Sequence, residues 1–326
     1  MSMSVRDHIK SGQFKNAYLL YGDEDYLKVQ YRDQLVDALL AGGDKMNLSK
    51  FEGKDINVGE VIDLAETMPF FAERRVIVIQ DSEFFKSSND EFAEYLKNIQ
   101  ETTSIVCIEQ KVDKRNKAYK AIKEIGFVEE EVMPNEHILQ TWIVGQAKRE
   151  GKQITPDAWA EFLNRTGDNM DHMDREFKKL LSYCYESDTI EKEDVEAICT
   201  KQVETKIFDM INAIASKKLD VVMDLYQDML SAKEPPMRIL FMIVRQFNQI
   251  FIMKDMAAKG LSNREIATKM KMNDYIVRKN FAAANAFNTN QIRILLEEAA
   301  DCEWRVKTGQ LDERLAVEML MIKYSR

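Results

Sequence analysis

The sequence predicts a three-layer α/β domain on a parallel sheet, followed by domains built of helices alone. Three observations carry this. Short apolar runs alternate with helical periodicity as far as Met133, the pattern of strands joined by crossover helices. Nine of the 12 glycines lie in residues 1–151, so turn-forming residues crowd the first part and thin out afterwards. The run Val76–Ile79 is continuously apolar, as expected of a strand covered on both faces.

In order, AYLLYG (residues 17–22) predicts a strand and turn. The following YLKVQYRDQLVDALL predicts a helix, with Val29, Leu35, Val36, Leu39 and Leu40 spaced for one face. NLSKFEG predicts a second strand. Asn57 is placed to cap a helix over VGEVIDLAET, with Glu60 three residues on as capping-box partner. VIVIQ is the third strand, NDEFAEYLKNI a helix, and residues 104–110 the fourth strand. The helix KAYKAIKEIG stops at Gly126, and FVEEEVM closes the series. Pro134 and Asn135 mark a boundary. Beyond it EHILQTWIVGQAKREG, TPDAWAEFLNRTG, NMDHMDREFKKLLSYCY and EKEDVEAICT read as short helices, with Thr155 and Pro156 at the cap and first turn of the second. From about Thr205 the pattern is one of long amphipathic helices, one opened by Pro235-Pro236 and another by SNREIA. There is no internal repeat and no low-complexity stretch.

Bulk properties exclude several classes. No apolar run approaches the length of a membrane span, and MSMSVRDHIK lacks an apolar signal core, so the expectation is a cytoplasmic protein. The four cysteines, Cys107, Cys184, Cys199 and Cys302, have no zinc-ligand spacing and are expected as reduced, mostly buried thiols. The net charge of −9 is uneven: residues 206–326 carry 19 Lys and Arg against 15 Asp and Glu, the remainder 27 against 40. An acidic chain is a poor lone binder of nucleic acid, although the mildly basic end could touch phosphate within an assembly.

Catalytic chemistry is missing from the pattern. Where an ATPase has a glycine-rich loop ending in GK[ST], this chain has Asp23-Glu24-Asp25, which repels phosphate. Asp81 and Glu83 follow a strand as magnesium-polarising acids would, but without a phosphate loop they read as strand-end or solvated residues. His8, His137 and His172 fall in separate segments and read as structural or surface groups. Glu129–Glu131 reads as an exposed charged stretch. The methionines, Trp142, Trp159 and Trp304 read as core. Lys111, Lys114, Arg115, Lys117 and Lys120 follow the fourth strand, either facing DNA phosphates or forming a solvated face. No metal site and no cofactor is expected.

One stretch resists this reading. In TMPFFAER the adjacent Phe70 and Phe71 cannot easily enter one core, since neighbouring side chains diverge. Pro69 disfavours helix at Met68, so the chain turns out of its helix there. Either one ring caps the local core while the other covers the sheet edge, or the pair is a compact anchor for a partner pocket.

The chain resembles a known family, the delta subunits of the bacterial DNA polymerase III clamp loader, in a form like those of Gram-positive bacteria. The resemblance rests on NAYLLYGDEDYLKVQYRDQL, on KIFDMINAIASKKLDVVMDLYQDMLSAKEPPMRILFMIVRQFNQI and on DCEWRVKTGQLDERLAVEMLMIKYS. It implies an AAA+-like α/β domain over residues 1–136, a helical lid over 137–204 and a helical collar over 205–326. It implies a non-catalytic subunit that binds and opens the ring-shaped sliding clamp (the beta subunit). Its other partners would be delta prime and gamma/tau, reached through the collar, and primer-template DNA within the assembly. Phe70 and Phe71 match the family's clamp-binding wedge, supported by Met68, while Pro69 stands where a small polar residue is expected. Lys111, Lys114 and Arg115 are the candidates for facing DNA, and Arg175 is given no phosphate role. The alternatives are a divergent AAA+ ATPase and a stand-alone DNA-binding protein.

Overall fold

The structure is a computed structural model; it describes residues 4–42, 45–87 and 89–325, and of residues 282 and 283 the backbone alone. The chain divides into two compact units, Met1–Met133 and Pro134–Arg326.

The first unit runs α1 (Val5–Ser11), β1 (Ala17–Tyr21), α2 (Asp25–Leu40), a 3-10 turn (Lys45–Asn47), β2 (Leu48–Glu52), α3 (Val58–Ala65), β3 (Arg75–Gln80), α4 (Asp90–Lys97), β4 (Thr103–Glu109), α5 (Lys117–Ile125) and β5 (Phe127–Glu130). The five strands are all parallel in the order β2-β3-β4-β1-β5. Pairing sets Leu19 beside Cys107 and Cys107 beside Ile79, so alternate residues of neighbouring strands share a face. One face, with Ala17, Leu19, Ile77, Ile79, Ile105 and Cys107, packs on α3, α4 and α5. The other, with Tyr18, Val78 and Val106, is covered by α1 and α2. The expected three layers and the AAA+-like arrangement are therefore present. Val76–Ile79 are at most 2% exposed, and burying each of these side chains contributes about 2 kcal/mol.

The second unit is helical apart from the two-residue strands β6 (Gln153–Ile154) and β7 (Thr189–Ile190). Its helices are α6 (Glu136–Arg149), α7 (Pro156–Thr166), α8 (Met170–Tyr183), α9 (Lys192–Ile198), α10 (Val203–Ala215), α11 (Leu219–Ser231), α12 (Pro236–Ala258), α13 (Asn263–Met270), α14 (Asp274–Ala284), α15 (Thr289–Lys307) and α16 (Glu313–Tyr324). Thr155 accepts from the Ala158 amide with Pro156 in the first turn, as expected, and SNREIA opens α13, where Ser262 and Glu265 form a capping box. Asn57 caps α3 by accepting from the Gly59 amide, but Glu60 accepts from the Asn57 side-chain amide rather than completing the expected capping box. A core centred on Ile211, Tyr226, Ile243, Phe247, Leu295 and Val317 joins α10, α11, α12, α15 and α16.

Several expectations need correcting. Val29 is exposed; the inner face of α2 is Leu27, Lys28, Tyr31, Leu35, Val36 and Leu39. Trp304 is 55% exposed while Trp159 is core. Glu129–Glu131 is not an exposed stretch: β5 occupies most of it, Glu129 accepts from the Val5 amide, and Glu131 is buried. The short α1 and the β6–β7 pair had no periodic signal long enough to predict. Among the described residues no helix is long and apolar enough to cross a membrane.

Candidate functional site

The exposed apolar surface of the first unit concentrates where α3 gives way to β3. The helix ends with the Glu66 amide on the Ile62 carbonyl, and the Thr67 hydroxyl donates back to the Asp63 carbonyl. Thr103, fully buried at the start of β4, donates to the Ala65 carbonyl at 2.6 Å and fixes the helix end to the sheet. Pro69 blocks any continuation.

Two buried polar side chains then hold the outgoing loop. Arg75, the first residue of β3, donates through Nε to the Thr67 carbonyl at 2.9 Å and through Nη2 to the Met68 carbonyl at 3.2 Å. Asn47 is fully buried; its Oδ1 accepts from the Phe70 amide at 2.7 Å and its Nδ2 donates to the Phe70 carbonyl at 2.9 Å. The backbone turns sharply at Phe71, whose φ is +46°. For a residue with a Cβ this left-handed conformation costs about 1–2 kcal/mol, so the flanking bonds must hold it.

The result is a projecting apolar knob. Phe71 is 96% exposed, Met68 72% and Phe70 53%. The two rings meet edge to face with centroids 4.6 Å apart, a contact worth about 0.5–1.5 kcal/mol beyond area burial. Neither ring joins the core, so the core-capping alternative does not hold. An exposed aromatic pair on a loop held by buried Asn47 and Arg75 is suited to insertion in an apolar pocket. The sequence reading missed Asn47 and Arg75, which carry no local motif, and also Met46, an exposed apolar residue beside Asn47.

The turn from β1 to α2, where a phosphate loop would lie, is filled by the protein itself. The Gly22 amide donates to the Glu109 carbonyl and the Glu24 amide to the Glu131 carbonyl. Glu24 caps α2 by accepting from the Tyr26 amide. The Lys28 ammonium, 2% exposed, donates to the Gly22 carbonyl at 2.7 Å and the Glu109 carbonyl at 3.3 Å, and pairs with Asp25 at 2.8 Å. Amides that would cradle phosphate are thus bonded to carbonyl and carboxylate oxygens. At the end of β3, Glu83 pairs with Lys86 and Lys54, whose hydrogen bonds hold its carboxyl below the ordinary range. Among the described residues no group of His, Cys, Asp and Glu is arranged to hold a metal ion.

The basic cluster after β4 is partly neutralised. Lys114 pairs with Glu130 at 3.0 Å and lies over the Tyr21 ring, Arg115 forks onto Asp113, and Lys117 pairs with Asp90 at 2.6 Å. Lys111 is exposed in the same loop. The histidines are not brought together: His8 is buried with Nδ1 3.0 Å from the Tyr18 hydroxyl, His137 is exposed, and His172 lies on α8 with its basicity lowered by burial. The cysteines are free thiols, three buried and Cys302 half-buried. On α8, Arg175 pairs with Asp171.

Residues 18–131 match the family described as DNA polymerase III, delta subunit, and residues 204–324 the family described as DNA polymerase III delta subunit, C-terminal domain. The chain is 26% identical to DNA polymerase III subunit delta of Bacillus subtilis over 99% of its length and 96% of the relative's. It is 20% identical to the probable DNA polymerase III subunit delta of Aquifex aeolicus, over 76% of this chain and 73% of that one. The solved structure of the Bacillus subtilis DNA clamp loader delta protein superposes with a TM-score of 0.76 at 26% identity, covering 98% of each chain.

Proposed function

We propose, from the premise that this chain belongs to the DNA polymerase III delta-subunit family, that it is the clamp-loader subunit that binds the sliding clamp through Phe70, Phe71 and Met68 and opens it. The observation that carries the reading is the exposed ring pair, held by buried Asn47 and Arg75 rather than absorbed into the core. Opening follows if the knob fits a sprung clamp interface better than a closed one, because binding then shifts the ring population toward the open form. The chain itself would turn over no ATP, a reading supported by the Lys28 ammonium and the committed amides of the β1–α2 turn.

Within the second unit we place a lid over residues 137–204 and a collar over 205–326, the collar joining delta prime and gamma/tau. The exposed Leu315 and Met319 on α16 offer apolar surface for such a contact. Primer-template DNA would be met only inside the assembly, in the cytoplasm. Lys111, Lys114 and Arg115 are its candidate contacts, the last two exchanging Glu130 and Asp113 for phosphate.

The test is clamp affinity of Phe70→Ala/Phe71→Ala with folding checked by circular dichroism. A loss on the order of a hundredfold or more is expected from removing two desolvated anchors. Unchanged affinity in a folded double variant refutes the contact, and micromolar ATP binding by the isolated chain refutes the non-catalytic assignment.

A further inference from the structure

Asn47 presents an unusual arrangement. It lies 23 residues before Phe70 in sequence, is fully buried, and uses one amide side chain to satisfy both backbone groups of Phe70. Burying an amide is unfavourable by about 1–3 kcal/mol unless both its donor and acceptor are bonded. Here they are, and the pairing fixes the Phe70 peptide much as a neighbouring strand would. It does so immediately before the left-handed Phe71. Without that restraint the chain gains by leaving the positive-φ region, and the Phe71 ring moves with it.

The anchor is tied to the sheet at two points. Asn47 leads directly into Leu48 of β2, and Arg75 opens β3; the two strands pair, with Leu48 opposite Val76. The loop is therefore held from both sides by the starts of adjacent strands. The residue before Asn47 is Met46, 63% exposed. Its flexible thioether side chain adapts to an irregular apolar surface.

We infer that the clamp-facing surface has a second segment, the turn Lys45–Asn47, in which Asn47 is the positioning residue for the Phe70–Phe71 pair and Met46 adds a further apolar contact. This rests on the reading of Phe70 and Phe71 as the clamp contact.

The experiment measures affinity of full-length variants for the sliding clamp of the same replication system, with melting curves for each. Met46→Ala is expected to bind about fivefold more weakly with melting unchanged, from the lost burial of one exposed side chain. Asn47→Ala is expected to bind about tenfold more weakly, and to lose most of that effect in a Phe71→Ala background, because the ring it positions is gone. An equal loss in both backgrounds overturns the positioning role, since general destabilisation does not depend on the ring. Should Asn47→Ala not fold, Asn47→Ser replaces it in the same cycle. If both single variants bind like the parent while Phe70→Ala/Phe71→Ala does not, the second segment is refuted and the wedge stands. If Phe70→Ala/Phe71→Ala binds like the parent, the wedge itself is refuted.

Discussion

The ammonium of Lys28 sits 2.7 Å from the carbonyl oxygen of Gly22, inside the turn that joins β1 to α2. In a nucleotide-binding relative of this fold that turn would wrap phosphate. Here a cation from the first turns of α2 closes it from within, bridging Gly22, Glu109 and Asp25. The turn is thus a finished piece of structure rather than an empty site.

Lys28→Met should lower stability by about 2 kcal/mol, the scale of losing charge-assisted hydrogen bonds to buried carbonyls. It should not create ATP affinity, because the Gly22 and Glu24 amides remain bonded to Glu109 and Glu131. Urea denaturation and an ATP titration check the two halves. An unchanged unfolding midpoint would show that water replaces the ammonium without cost.

Gly22 should tolerate no side chain. Its φ is +131°, and a Cβ there would lie 2.2 Å from the Glu131 carbonyl oxygen. Gly22→Ala is expected to destabilise by more than about 3 kcal/mol, through backbone strain and displacement of β5. Gly12→Ala is the control: its φ is +70° with nothing within 4 Å of a Cβ, so about 1 kcal/mol is expected. Equal melting shifts in the two variants would contradict the packing argument.

Phe71→Gly separates strain from contact. Glycine adopts the φ of +46° freely, so stability should hold or rise by up to about 1 kcal/mol. Clamp affinity should nevertheless fall about thirtyfold, since in the proposed contact the ring would supply the buried area. A glycine variant that both folds and binds like the parent would move the contact away from Phe71.

Glu131 should make stability depend on pH. Burial, with the charge of Glu129 next, pushes its carboxyl from the ordinary 4.5 up to about 7. The unfolded chain loses this proton first, so stability falls as pH rises from about 4.5 to about 7 and is level above. The contribution is on the order of 3 kcal/mol. Glu131→Gln should remove that part of the slope and be the more stable protein at pH 8. Urea midpoints at pH 5 and pH 8 measure it; parallel profiles for parent and variant would count against a protonated, buried Glu131.

Legibility in the sequence followed the range of the interaction. Val76–Ile79 and the caps at Asn57 and Thr155 were readable because strand burial and helix capping act over a few residues. Val29 misled because it fits a helical stripe, yet the buried face turns past it to Lys28, whose charge argues against burial until its carbonyl partners are known. Glu131 misled for the same reason in reverse: a run of acids reads as solvated, and only the fold shows β5 drawing it inward. Trp304 followed helical spacing but ended on the solvent side of α15.

By itself the sequence determined the alternation of strands and helices from β1 to β5, the absence of a phosphate loop, and the place where adjacent Phe70 and Phe71 break the core pattern after Pro69. Periodicity, proline geometry and missing residue types are local properties and are legible in one dimension. Only the tertiary structure decided that both rings face outward, and that Asn47 and Arg75 hold them there while Lys28 closes the turn. Those contacts join backbone groups to side chains from other elements, and a backbone hydrogen bond leaves no mark in the sequence of the residue that accepts it.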